Sequence, residues 1–327
     1  MALRFRRIAA TALALLGLSA WCGVALARSL PAPSETSAPI LLYPAGAPGG
    51  AGPDAGFPAE TRATLPESGE TMVFNVSVPT LERFAPQKGH SNGTAVIVAP
   101  GGGFVGIGYR AGGTAIAQRL AGLGITAFVL KYRTIVSPDD AMHMPAQHVH
   151  EMAAIEARAK SGSPAQIAPF AGEPHAVADG ARALELVRAH AATWGIDPHR
   201  VGILGLSAGA FLAADLAIGP PASRPDFVAL LYGGLRGPVP SDAPPAFIAA
   251  AADDPYVPDD AALLFAAWRK AGVPAELHIY ERGGHGFDLA AKGAPSDHWF
   301  AQFTWWMQAR GLIAHSRPAP RPKRIRP

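Results

Sequence analysis

"GILGLSAGA", Gly202–Ala210, places a serine where an apolar run ends and a helical pattern begins. The run before it, "VGILGL" (Val201–Leu206), is continuously apolar, as suits a strand covered on both faces, and "AGAFLAADLAIG" (Ala208–Gly219) follows with helical spacing. A serine at so sharp a strand-to-helix turn holds strained backbone dihedrals, so its neighbours two residues away, Gly205 and Gly209, must lack bulky side chains. The turn exposes the Ser207 hydroxyl and sets the Ala208 N–H at a helix start, where it can stabilise an oxyanion. Gly205–Gly209 thus fits G-x-S-x-G in the required context, and Ser207 is a candidate nucleophile.

The same alternation extends along the chain. "TMVFNVSV" (Thr71–Val78) reads as a half-buried strand, while "TAVIVA" (Thr94–Ala99), "ITAFVLKY" (Ile125–Tyr132), "FVALLYG" (Phe227–Gly233), "AFIAAAA" (Ala246–Ala252) and "AELHIY" (Ala275–Tyr280) supply further strands. Helical patterns cover 114–123, 176–194, 208–218, 259–271 and 297–311. Strands alternating with helices predict an α/β fold, a mostly parallel sheet with helices on both faces. In such sheets reactive groups collect at the carboxyl ends of strands.

Three further stretches stand at such ends. "VAPGGGF" (Val98–Phe104) leaves approachable backbone N–H groups, and Gly102 and Gly103 are the candidate oxyanion donors with Ala208. No G-x-G-x-x-G spacing and no following Lys-Ser or Lys-Thr supports a nucleotide site there. "AAADDPYVP" (Ala250–Pro258) offers two carboxylates, Asp253 and Asp254, either of which could accept a hydrogen bond from an imidazole. "GGHGF" (Gly283–Phe287) offers His285 as general base between two glycines. Phe104, Tyr109 and Tyr256, near these loops, are the candidate substrate contacts. Trp194, Trp268, Trp299, Trp305 and Trp306 lie mostly within amphipathic helices and are expected to pack rather than to stack on sugar.

The order serine, acid, histidine is that of the α/β-hydrolases rather than of the chymotrypsin or subtilisin types. "LLYPAGAPG", "PTLERFAP", "VAPGGGF", "LKYR", "WGIDPHRVGILGLSAGA", "RPDFVALLYGG", "DDPYVP", "AGVPAELHIYERGGHGF" and a Trp-rich last helix resemble secreted bacterial α/β-hydrolases related to acetylxylan esterases, some of them labelled xylanase-like or dienelactone-hydrolase-like. The resemblance spans most of residues 39–313. It implies the α/β-hydrolase fold, a triad of Ser207, Asp254 and His285, and removal of acetyl or other small acyl groups from plant-cell-wall carbohydrates. Asp254 is favoured over Asp253 because Asp-Pro-Tyr-Val-Pro matches the D-x-x-V-P arrangement of such enzymes, with Asp253 kept as the alternative. Pro100 replaces the His of lipase-like relatives, and Ala210 a second glycine common in others. A general carboxylesterase for small lipophilic esters would use the same machinery, and a non-catalytic binding module of the same fold is the alternative from another class.

Two regions break the pattern. Residues 137–174 form an insertion near the strand ends, a possible lid, in which Val149–Lys160 has helical character. Its "HMPAQHVHE" gathers His143, His148, His150 and Glu151, but without the spacing of a helical zinc pair, so the expectation is no metal and no cofactor. Residues 28–70, rich in Pro, Gly and Ala, read as an extended leader before a catalytic domain at 71–315.

The first 27 residues have a cationic start, an apolar middle and small residues at Ala25 and Ala27, the layout of a secretory signal cleaved after Ala27, with an uncleaved anchor as the alternative. This predicts a periplasmic or extracellular protein without stable membrane insertion after cleavage. Cys22 is the single cysteine, so the exported chain of about 300 residues must rely on its core rather than on disulfides. The formal net charge of +3 falls to 0 without the three arginines of the signal, and to −5 without the five basic residues of the Pro-rich tail at 316–327. A mildly acidic body argues against nucleic acid as partner and leaves a small-molecule or oligosaccharide ester as the expected one.

Overall fold

The computed structural model describes residues 35–314 apart from 37, 49–55, 67, 138–143 and 163–165. The expected signal segment, the start of the leader, His143 and the basic tail lie outside the described residues. In chain order the elements are β1 (Glu35–Thr36), β2 (Ile40–Leu41), β3 (Thr61–Thr64), β4 (Thr71–Phe74), β5 (Thr80–Ala85), β6 (Ala95–Ala99) and β7 (Gly106–Gly108). Then come α1 (Ala115–Ala121), β8 (Thr126–Lys131), α2 (Ala146–Ser161), α3 (Glu173–Ala189), α4 (Ala191–Trp194), β9 (Val201–Leu206) and α5 (Ala208–Ile218). The chain continues through β10 (Val228–Leu231), β11 (Ala246–Ala251), α6 (Asp260–Lys270), β12 (Ala275–Tyr280) and α7 (Trp299–Ala309).

Continuously apolar runs become the strands covered on both faces: every residue of β6, β9, β10 and β11 is buried. The main sheet runs β1-β5-β8-β6-β9-β10-β11-β12, with β2 also paired to β5. All pairings from β8 to β12 are parallel, and β5 joins β8 antiparallel. This is the α/β-hydrolase fold. It puts the carboxyl ends of β6, β9 and β11 at one sheet edge, where Pro100–Phe104, Ser207 and Asp253–Asp254 begin.

Several local expectations change. The strand expected over 71–78 stops at Phe74, because Asn75 turns to φ 56 and its Oδ1 accepts the Ser137 N–H at 2.7 Å. Its pairing is with β3 and β7 in a separate three-stranded antiparallel sheet. The stretch read as leader contributes β2, β3 and the fully buried Leu42. Trp268 and Trp299 are fully buried and donate their indole N–H to Pro244 O and Asp288 O, whereas Trp305 is 65% exposed.

Charged clamps hold the insertion on the body. Arg158 of α2 grips Asp260, the first residue of α6, through two bonds of 2.8 and 2.9 Å, a bidentate arrangement of the stronger kind. After the insertion, Arg236 donates to both oxygens of buried Glu173 at 2.9 and 2.6 Å and lies 4.1 Å from the Phe211 ring centroid. Asp215 of α5 stands beside this pair with its Oδ1 buried and without a hydrogen-bond partner among the described residues. Burial, then the Glu173 charge, pushes its carboxyl up from 3.8 to about 7.

The folded protein therefore binds this proton more tightly than the unfolded chain. The associated stability is complete below the ordinary aspartate value and is lost as pH rises through about 7. Asp215→Asn is expected to raise the melting temperature more at pH 8.5 than at pH 5.5. Equal shifts at the two pH values in thermal melts would refute a charged Asp215 as the source.

Candidate active site

Ser207 lies directly after β9 and before α5, with φ 52 and ψ −118. A non-glycine residue there costs on the order of 1–3 kcal/mol and persists because the surroundings impose it. The two flanking glycines are what the turn requires. A Cβ on Gly205 would lie 2.1 Å from Gly209 O, and one on Gly209 would lie 1.9 Å from Ala99 O at the end of β6. The Ser207 N–H donates to Leu231 O at 3.0 Å, fixing the turn to β10.

His285 reaches the serine from the loop after β12, held between Gly284 at φ 59 and Gly286 at φ 84. Ser207 Oγ–H donates to His285 Nε2 at 2.8 Å, and His285 Nδ1–H donates to Asp254 Oδ2 at 2.8 Å. A carboxylate can only accept here, so the ring proton resides on Nδ1 and Nε2 is left as acceptor. Asp254 is 3% exposed, and its Oδ1 accepts the N–H groups of Tyr256 and Val257 at 2.8 and 3.2 Å. Asp253 faces elsewhere: its Oδ1 accepts the Gly283 and Gly284 N–H groups at 2.9 and 2.7 Å, tying down the loop that carries His285. The two neighbouring aspartates thus bind the histidine and its loop respectively.

The glycine loop lies against the serine, since a Cβ on Gly101 would come within 3.0 Å of Ser207 Cβ. Gly102 has φ 138, and a Cβ there would lie 2.1 Å from Gly106 O, so only glycine fits. Gly103 has φ 63. The N–H groups of Gly102, Gly103 and Ala208 have no acceptor among the described residues.

Ser207, His285 and Gly101–Gly103 line a cavity of about 300 Å³ that also takes in Met72, His148, Met152, Tyr232, Tyr256 and Asp288. Tyr232 and Tyr256 each stand edge-on to the His285 ring, with centroids 5.0 Å away. Burial raises the Tyr232 phenol well above its ordinary value, and its O–H donates to Phe287 O at 2.8 Å, so it acts as a neutral wall. Glu70 also lines the cavity, but its carboxylate is occupied by the N–H groups of Thr71, Arg110, Ala111 and Gly112.

Two expected substrate contacts are corrected. Phe104 is fully buried: φ 60 at this residue turns its ring inward, against Tyr132 and Phe170 at 5.9 and 5.4 Å. Tyr109 does not line the cavity, because its hydroxyl donates to Glu82 of β5 and the Arg62 guanidinium covers its ring at 5.3 Å. Of the histidines read as a possible metal cluster, His148 enters the cavity wall. No group of three or more metal-ligating side chains occurs among the described residues. The sequence reading singles out neither Tyr232 nor Glu70 as a site residue, and names His148 only among possible metal ligands. "LLYGG" at a strand end was the available signal for Tyr232, and the other two arrive from remote segments.

A family model described as the alpha/beta hydrolase fold matches residues 165–242, the stretch that contains Ser207. An acetylxylan esterase of Xylanibacter ruminicola is 26% identical over 279 residues, covering 74% of this chain and 49% of that protein. The chain therefore spans about half the length of this curated relative. An acetyl ester-xyloside bifunctional hydrolase from Caldicellulosiruptor lactoaceticus superposes with a TM-score of 0.57 at 25% identity, over 84% of this chain and 97% of the other. Esterase 2 of Thermogutta terrifontis, phosphorylated by paraoxon, gives 0.56 at 20% identity over 80% and 97%. No helix among the described residues is long and apolar enough to cross a membrane. The chain thus has the α/β-hydrolase fold and is similar in sequence to an acetylxylan esterase.

Proposed function

We propose that the protein is a secreted serine esterase that removes acetyl or other small acyl groups from plant-cell-wall carbohydrates. The observation that carries this reading is the unbroken hydrogen-bond chain from Ser207 Oγ through His285 to Asp254, beside three backbone amides that have no acceptor among the described residues. In the mechanism, Nε2 of His285 takes the Ser207 proton as Oγ attacks the ester carbonyl. The carbonyl oxygen becomes an oxyanion held by the Gly102, Gly103 and Ala208 N–H groups. The imidazolium, stabilised by Asp254, then protonates the departing alcohol. Water, activated by the same histidine, releases the acid from the acyl-enzyme.

The cavity volume of about 300 Å³ lies at the small end of the range for ligand sites, which favours a short acyl chain. The similarity to an acetylxylan esterase and to an acetyl ester-xyloside hydrolase supports the sugar. Export rests on the first 27 residues.

The test follows acetate release from acetylated xylo-oligosaccharides beside hydrolysis of p-nitrophenyl acetate and octanoate. Turnover of the oligosaccharides and of the acetate, with little on the octanoate, is expected. Turnover of chromogenic esters alone would replace the carbohydrate reading with a general carboxylesterase. Silence on every ester would leave a binding module.

A further inference from the structure

Among the described residues of the insertion, His148 is the one polar side chain in the cavity wall. It sits in the first turns of α2 and is 7% exposed. Its ring lies directly on the glycine loop: a Cβ on Gly103 would be 2.3 Å from His148 Cε1 and 2.8 Å from Nε2. That contact exists only because residue 103 has no side chain. Gly101, two residues back, touches Ser207, so the same short loop has the nucleophile at one end and this imidazole at the other.

Among the described residues neither ring nitrogen of His148 has a hydrogen-bond partner, and Nδ1 is buried. A buried polar atom left unpaired is uncommon in folded proteins and calls for an account. Glu151, one turn along α2, supplies part of it. Its Oε1 is occupied by the Gln147 amide and the Ala171 N–H, both at 2.9 Å, while Oε2 stands 3.9 Å from His148 Nδ1. That is too long for a hydrogen bond but near enough to favour the tautomer with its proton on Nδ1. Burial lowers the imidazole from its ordinary value of 6.5, opposed in part by Glu151, which keeps the ring neutral near pH 7. Nε2 is then a bare acceptor on the cavity wall.

We propose that His148 is the hydroxyl-recognising residue of this site, its Nε2 accepting a hydrogen bond from a free substrate hydroxyl next to the ester. This rests on the esterase reading of the cavity. An acetyl group carries no hydroxyl, so the donor belongs to the alcohol half, as in a partly acetylated sugar or polyol. A simple alkyl or aryl ester cannot meet this demand. A substrate lacking the hydroxyl leaves the acceptor desolvated and unpaired, which is how a polar site rejects a deoxy analogue. The insertion thereby sets which alcohols are accepted, while Ser207, His285 and Asp254 perform the chemistry.

The experiment uses a matched pair: a monoacetylated methyl xyloside with a free hydroxyl beside the ester, and its counterpart deoxygenated at that hydroxyl. Values of kcat/KM are measured for wild type, His148→Ala and His148→Gln. The wild type is expected to prefer the hydroxyl-bearing member, and His148→Ala to shrink that preference about tenfold, the loss of one neutral hydrogen bond. His148→Gln, whose side-chain carbonyl can accept in place of Nε2, is expected to restore part of it. The readout is the ratio within each protein, which a merely structural role of His148 would leave unchanged.

No preference in the wild type overturns the proposal, as does an equal fall on both substrates in His148→Ala. If the wild type hydrolyses neither xyloside but cleaves p-nitrophenyl acetate, the hydroxyl claim fails while the esterase reading stands. If it cleaves no ester at all, the esterase reading fails and this proposal goes with it.

Discussion

Ser207→Ala is expected to lower kcat on p-nitrophenyl acetate and on acetylated xylo-oligosaccharides by a factor on the order of 10⁶, the loss seen when a triad nucleophile is removed. Alanine has no oxygen to attack the carbonyl, and none of the groups within reach replaces it. His285 Nε2 loses its 2.8 Å partner, while the amides of Gly102, Gly103 and Ala208 remain to polarise a bound ester. The residual rate is therefore expected to stay above that of the uncatalysed reaction. The fold is expected to persist, because the turn is held by main-chain bonds and by Gly205 and Gly209 rather than by the hydroxyl. Labelling by a fluorophosphonate gives the independent check: wild type should be modified at Ser207 and the variant should not react. A variant that folds and keeps a tenth of the wild-type rate would remove Ser207 from the mechanism.

The second large effect is expected from Asp254→Asn, a drop in kcat of about 10⁴ with little change in melting temperature. The hydrogen bonds dictate the direction. Oδ1 of Asp254 already accepts the Tyr256 and Val257 N–H groups, so the carbonyl of an introduced asparagine must stay there and its NH₂ must face His285. Two donors cannot face each other, so the imidazole proton moves to Nε2. That nitrogen then points a proton at Ser207 and can no longer accept one. The loss should lessen as pH rises and hydroxide substitutes for the enzymic base.

Asp253→Asn is the contrast. Its carbonyl can still accept the Gly283 and Gly284 N–H groups, and no tautomer depends on it, so a fall of about tenfold or less is expected. Steady-state kinetics on the two variants side by side decide the assignment. Equal losses would mean that the acid is shared or misplaced.

These assignments differ in how legible they were. Ser207 could be read from the chain because its requirements are local: a strand, a sharp turn and two absent side chains within five residues. The central strands were legible for the same reason, since burial on both faces demands apolar residues at every position, as β9, β10 and β11 have. The strand next to the edge was harder. The strand β5, "TLERFA", mixes charge with apolar residues because only part of it is covered, and it carried no strand signal of its own.

What the sequence alone determined, then, is the α/β alternation and the order of serine, acid and histidine at strand ends, because these depend on periodicity and on short steric rules. Only the tertiary structure separates Asp253 from Asp254 in their contacts, adjacent residues whose carboxylates turn to different partners of the same loop. Only it placed Phe104 in the core and Tyr109 against Glu82, because a single dihedral such as φ 60 at Phe104 reverses where a side chain points. And only it brought His148 onto Gly103, through an insertion clamped by Arg158 and Asp260. Contacts between segments so far apart depend on packing and on paired charges, which no local pattern records.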